Sequence, residues 1–211
     1  SGGRIAIHMY NDMRLLGGIA AAIAVALTIA LIARGERLEV VRNPLASWHW
    51  IAVTALVVVS AIATRASWDA IKKNDVGLGQ TSGAVQWAYT SKGVAETMAR
   101  YTDRAQAIRG VMIDSIAFIP SYVLLLASFA FAVAKYTGQP WLVIAGWLVP
   151  LAGALDYLEN AGIYLALGNV TTAVAPLTYA ASQLKWLIVF TVPLFTLFAG
   201  LAAPLARLLH R

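Results

Sequence analysis

Residues 141–167 read WLVIAGWLVPLAGALDYLENAGIYLAL, a run without Lys or Arg whose charged and amide residues are Asp156, Glu159 and Asn160 alone. A membrane span needs about 20 largely apolar residues, at roughly 1.5 Å of rise each across a hydrocarbon core of about 30 Å. The stretch is long enough to cross. Its three polar residues stand at i, i+3 and i+4, so a helix carries them on one face. A charge facing hydrocarbon costs about 2.5–3.5 kcal/mol on insertion scales. That cost turns the acidic face into a bundle and leaves the apolar faces for lipid.

The rest of the chain fits this reading. Of 211 residues, 60% are hydrophobic and only 12% are charged. Soluble domains are about a quarter charged, and this composition leaves too little polar surface to cover a water-soluble globule. The fold class is therefore all-α: a polytopic membrane helix bundle of about five transmembrane helices plus one interfacial amphipathic helix. Residues 1–211 form a single transmembrane domain. Its spans are expected at about 15–33, 48–64, 114–134, 141–167 and 185–205, with a cytoplasmic or interfacial segment over 65–112. The first span is too long for a signal-peptide core and is followed by no small-residue cleavage site. Ser1-Gly2-Gly3 is set aside from the fold.

The segment 65–112 holds seven of the 16 Lys/Arg and four of the ten Asp/Glu. Asn74, Asp75, Gly77, Gly79, Gln80, Ser82 and Gly83 give its first half a loop character. In its second half, Val94, Met98, Tyr101, Ala105, Ile108 and Met112 recur at alternating spacings of four and three. That stripe predicts one amphipathic helix over 92–112, with Met98, Tyr101 and Ile108 shielded and Glu96 and Arg100 wet. Ten Lys/Arg fall on the side of the N-terminus and this segment, against six on the other. The positive-inside rule then puts the N-terminus in the cytoplasm of a bacterial inner membrane, although Arg34, Arg37 and Arg42 in the first loop argue the other way.

Connectivity brings Asp114, Asp156, Glu159, Asn160 and Lys185 to the inner-leaflet half of the bundle, with Asp114 and Lys185 expected at the starts of their spans. Asp114, Asp156 and Glu159 are the candidate catalytic groups. They are also the candidate ligands if a divalent cation is bound through oxygen. Asn160, Lys185, Tyr122 and Tyr164 are the candidate substrate-binding residues. Two carboxylates one helical turn apart in a dry site do not both ionise unless a cation neutralises them. One of the pair holds a proton, or Lys185 or a metal compensates both. Pro120, Pro150 and Pro193 each remove a backbone donor and are expected to kink their spans around this centre.

The inventory excludes much. Without cysteine there are no disulfides, thiolate nucleophiles, Fe–S clusters or Cys-ligated zinc. The three histidines lie in terminal tails (His8, His210) or in an aromatic belt beside Trp48 and Trp50 (His49), so no axial haem ligand stands at depth. No P-loop, nucleophile elbow or nucleotide fingerprint is present. The net charge of +6 suits loops beside anionic membrane lipids and not nucleic acid. A homo-oligomer stays open.

At Asp114–Tyr122 (DSIAFIPSY) and Leu155–Asn160 (LDYLEN), the chain resembles multi-pass bacterial membrane proteins of uncharacterised activity. In those, an aspartate opens a span near a Phe-Ile-Pro-x-Tyr-like segment, and a later span carries L-D-x-x-E-N. The resemblance covers about residues 80–165 and implies importance for Asp114, Asp156, Glu159 and Asn160, with no chemistry attached. The leading expectation is a membrane-embedded enzyme acting on a lipid or isoprenoid-like substrate by acid/base or divalent-metal chemistry. The alternatives are a small ion-coupled carrier and a non-catalytic subunit whose polar cluster locks helix packing.

Overall fold

The computed structural model describes residues 42–74, 86, 90–99, 103–168 and 174–209, and all statements below refer to these. They are helical, with no strand among them. The elements are α1 (Trp50–Asn74), α2 (Ser91–Met98), α3 (Arg104–Ile113), a π-helical stretch (Asp114–Phe118), α4 (Ile119–Thr137), α5 (Trp141–Leu167) and α6 (Val174–Leu209). Four helices are long and apolar enough to cross a membrane: Trp50–Lys73, the continuous rod Arg104–Thr137, Trp141–Leu167 and Ala175–Ala203. The expected span at 15–33 lies outside the described residues.

The interior holds a polar cluster beside two apolar ones, and the outer surface is apolar. Asp156, Glu159, Asn160, Ser182 and Lys185 are buried, while Val59, Ile62, Leu151, Leu158, Leu165 and Leu201 are exposed. A water-soluble bundle keeps its charges on the surface, so an apolar surface over buried charges marks a protein whose surroundings are lipid. The rod's α4 touches α1, α5 and α6, and α5 and α6 run along each other. The αL conformation of Gly138 (φ 70°) ends α4, and Gln139-Pro140 leads into α5. At that end Asn43 donates to the Phe131 carbonyl (2.8 Å). Lys135 donates to the carbonyls of Leu45 and Trp48 and sits 4.9 Å from the centre of the Trp50 ring.

Several helices run further than the hydropathy breaks. Arg65 does not end the first described span: α1 continues to Asn74, with Arg65 paired to Asp69 one turn on (3.0 Å) and Lys72 lying over Trp68. Residues 65–74 are thus helix and not loop. The second correction is that α6 begins at Val174, so Lys185 stands eleven residues inside it and not at its start. Asp114, in turn, does not open a span. Ten helical residues precede it in the rod.

The single amphipathic helix over 92–112 is two helices. Asp103 takes an extended conformation and accepts from the Gln106 N–H (3.0 Å), starting a new helix whose phase is unrelated to the first. In α2, Val94 and Met98 are buried and Glu96 is exposed, paired with Lys92 (3.9 Å). In α3 the buried residue is Ala107, Ile108 is half-buried, and Met112 is exposed, contrary to the stripe. Arg100 and Tyr101 lie outside the described residues. With Ile163, Ala166, Leu167 and Ala175, the α2 and α3 residues form an apolar cluster where α5 ends and α6 begins.

Pro150 and Pro193 lie within uninterrupted helices, whereas Pro120 has a visible consequence. A helical proline clashes with the carbonyl four residues back and donates to none. Ahead of Pro120 the helix widens by one residue, and the Ile119 N–H bonds the Asp114 carbonyl. The next carbonyl, of Ser115, would look to residue 120 for its donor and finds proline. The Tyr157 hydroxyl from α5 donates to it instead (2.9 Å).

Candidate functional site

Asp156 lies two residues beyond the middle of the 27-residue α5. Asp156, Glu159 and Asn160 are each at most 4% exposed, while Tyr157 and Leu158 between them face outward. The face inferred from the spacing is therefore the interior face. Opposite it, α6 presents Ser182 and Lys185. The Lys185 ammonium lies 2.8 Å from Asp156 Oδ1 and 2.6 Å from Glu159 Oε2 and is itself 4% exposed. Burial of a cation of this kind is tolerated only with such pairing.

Around this triad the remaining oxygens are met. Asp156 Oδ2 accepts from the Tyr122 hydroxyl on α4 (3.0 Å). Glu159 Oε2 also accepts from Ser182, and Oε1 accepts from Gln86 Nε2 (2.6 Å). Trp186 Nε1 donates to the other end of the same amide (3.3 Å), and its ring lies 5.0 Å from the Lys185 ammonium. One turn away, Asn160 Nδ2 donates to Asp114 Oδ2 (2.6 Å) and lies 3.0 Å from Ser115 Oγ. The π-helical stretch belongs to this arrangement, because it presents Asp114 and Ser115 together to α5.

The structure brings together six of the seven residues expected at the site: Asp114, Asp156, Glu159, Asn160, Lys185 and Tyr122. Tyr164 is not among them. It is 55% exposed on the outer side of α5, because its position in the helical repeat falls away from the Asp156 face. The position between the two carboxylates, where a divalent cation would sit, is taken by an ammonium group. Among the described residues no group of three or more His, Asp or Glu side chains is placed to hold a metal ion. The residues therefore do not fit an oxygen-ligated metal.

Sequence reasoning missed Gln86, Ser115, Ser182 and Trp186. Ser182 had a signal, since it stands three residues before Lys185 on the same helical face. Ser115 had none, because α-helical spacing makes Ile116 the residue whose carbonyl Pro120 leaves without a donor, and only the π-helical stretch moves that vacancy to Ser115. Gln86 lies in a polar stretch with no periodicity, and nothing in its surroundings distinguishes it.

The chain matches no protein-family model, and no curated protein or solved structure is similar to it.

Proposed function

We propose that this is a multi-pass protein of the bacterial inner membrane, with its N-terminus in the cytoplasm. The acid–lysine centre then lies toward the cytoplasmic half of the bundle. We read it as a membrane-embedded enzyme that handles a lipid or isoprenoid-like substrate by acid/base chemistry. Asp156 and Glu159 are the proton-carrying groups, with Asp114 beside them, and Asn160, Tyr122 and Lys185 orient and compensate them.

One observation carries this reading: two buried carboxyl groups, Asp156 and Glu159, share one ammonium, and a third, Asp114, stands beside them on the Asn160 amide with no cation of its own among the described residues. Fully ionised, three negative charges against one positive leave a net charge of −2. A low-dielectric site does not hold that surplus, and a proton retained among the carboxyl groups removes part of it. A positioned carboxyl that holds a proton is a general acid, and its conjugate is a general base. Access has a structural counterpart. Asp114 and Ser115 are only half-buried, and beside them Ile116 and Tyr157 are exposed on the surface that meets lipid, which supports lateral entry.

Comparative mass spectrometry of lipid extracts tests the enzyme. Cells lacking the protein should accumulate a species that the wild type removes and Asp156→Asn does not. Lys185 stays paired to Glu159 in that variant, so it should still accumulate as folded protein. A lipid profile that ignores the protein altogether would sink the enzyme reading.

A second reading is favoured by a different observation: each oxygen of Asp156 and Glu159 already has a protein partner. A fully satisfied network also suits a subunit in which these groups lock helix register. In that case Asp156→Asn and Glu159→Gln lower stability, while the cellular phenotype of the folded fraction survives.

A further inference from the structure

Thr178 precedes Ser182 by one helical turn on α6, and Lys185 follows three residues after Ser182. At about 3.6 residues per turn the three share one face. All are enclosed, Thr178 at 1% exposed and Ser182 at 0%. The Ser182 proton is committed to Glu159 Oε2, which leaves the lone pairs of its oxygen free to accept. Thr178 Oγ1 has no hydrogen-bond partner among the described residues. Buried hydroxyls are rarely left so, and a buried water typically makes two to four hydrogen bonds to such groups.

We infer that Thr178, Ser182 and Glu159 bind one water molecule inside the bundle, and that this water exchanges protons with the Glu159 carboxylate through Ser182. The second half of the inference rests on reading Glu159 as a proton-carrying group. The water has three polar partners: it accepts from Thr178 and donates to the oxygens of Ser182 and Glu159. Protonation of Glu159 is a shift along these groups. The Ser182 O–H bond breaks as an O–H bond forms on Glu159 Oε2. A water O–H bond breaks as the Ser182 hydroxyl is restored. The hydroxide so left is neutralised by a hydronium ion of the aqueous phase when the bound water exchanges with bulk, and Thr178, itself enclosed, only holds the water in place. No electrons are transferred, and every hydroxyl ends as it began.

Thr196 is an internal control. It lies eighteen residues beyond Thr178, five turns along the same face, is 0% exposed, and its Oγ1 also lacks a partner among the described residues. Its neighbours one turn away on that face, Val192 and Ala199, are apolar, where those of Thr178 lead to Ser182 and Lys185.

Thermal unfolding of the full chain in detergent separates the cases. Valine is nearly isosteric with threonine, so at a site that binds nothing Thr→Val removes a destabilising hydroxyl and raises the midpoint. That is the expectation for Thr196→Val. The water site predicts the opposite at Thr178: Thr178→Val lowers the midpoint by about 2–4 °C, whereas Thr178→Ser restores it. A rise in Thr178→Val matching that in Thr196→Val would overturn the water site. Infrared spectroscopy in D2O reads the relay independently. The carboxylic C=O band should exchange quickly in the wild type and in Thr178→Ser, and slowly in Thr178→Val. A band that exchanges equally fast in Thr178→Val removes the relay. Absence of the band in the wild type overturns the acid/base reading and the relay together, while the thermal result still decides the water site.

Discussion

The two halves of α5 are held by different physics. From Val143 to Gly153 the inner face is small and apolar. A Cβ on Gly146 would stand 2.4 Å from a Phe131 ring carbon, and one on Gly153 would stand 2.7 Å from Val123 Cγ2. From Asp156 onward the inner face carries two carboxylates and an amide that reach α4, α6, Gln86 and the π-helical stretch. Lipid tails are as apolar as leucine, so the first half gains from closeness of approach more than from exclusion of water. The second half gains from charges that have no alternative partner in hydrocarbon. Close packing tolerates small slips along the helix, whereas charge pairing fixes one register.

The largest effect should come from breaking the charged half. Lys185→Ala leaves Asp156 and Glu159 buried without their cation, a loss of about 3–5 kcal/mol, and little monodisperse protein should be recovered in detergent. Tyr122→Phe keeps the ring and strips one hydrogen bond from Asp156 Oδ2. Denaturant or thermal unfolding should show a loss of about 1.5–3 kcal/mol, the range for bonds to charged groups. In the packed half, Gly146→Ala overfills the contact with Phe131 and should cost about 1–3 kcal/mol. Adding Phe131→Leu should recover part of that cost, and a double variant no better than the single would contradict the packing account. The smallest effect belongs to the α1–α4 contact. There Ser67 donates to the Ala63 carbonyl of its own helix (2.8 Å) and only brushes Ser121 (3.4 Å). Ser67→Ala should cost no more than about 0.6 kcal/mol, the average for interhelical hydrogen bonds in membranes. A loss comparable to that of Tyr122→Phe would erase the distinction between the two kinds of polar residue.

The membrane class and the acidic face of α5 were legible in the chain because both follow from cost. An apolar run needs lipid, and carboxylates at three- and four-residue spacing inside it need an interior. Helix ends were read less well. A charged residue lowers local hydropathy without ending a helix when it has a partner one turn away, as Arg65 has in Asp69. Lys185 reads as a span end for a different reason: its partners lie on another helix and leave no local mark. The break at Asp103 was readable, since Asp103 followed by Gln106 has the form of a capping box. The apolar stripe over 92–112 runs straight across it. Gln86 shows the opposite limit: a neutral amide becomes part of the site only through a contact 73 residues away in the chain.

The location of Asp156, two residues from the midpoint of α5, has an electrical meaning as well. An elementary charge carried from water to the middle of a bilayer crosses about half of any transmembrane voltage. At roughly 2.3 kcal/mol per 100 mV for a full crossing, that is about 1 kcal/mol per 100 mV. A proton reaching this centre therefore moves through the field of an energised membrane.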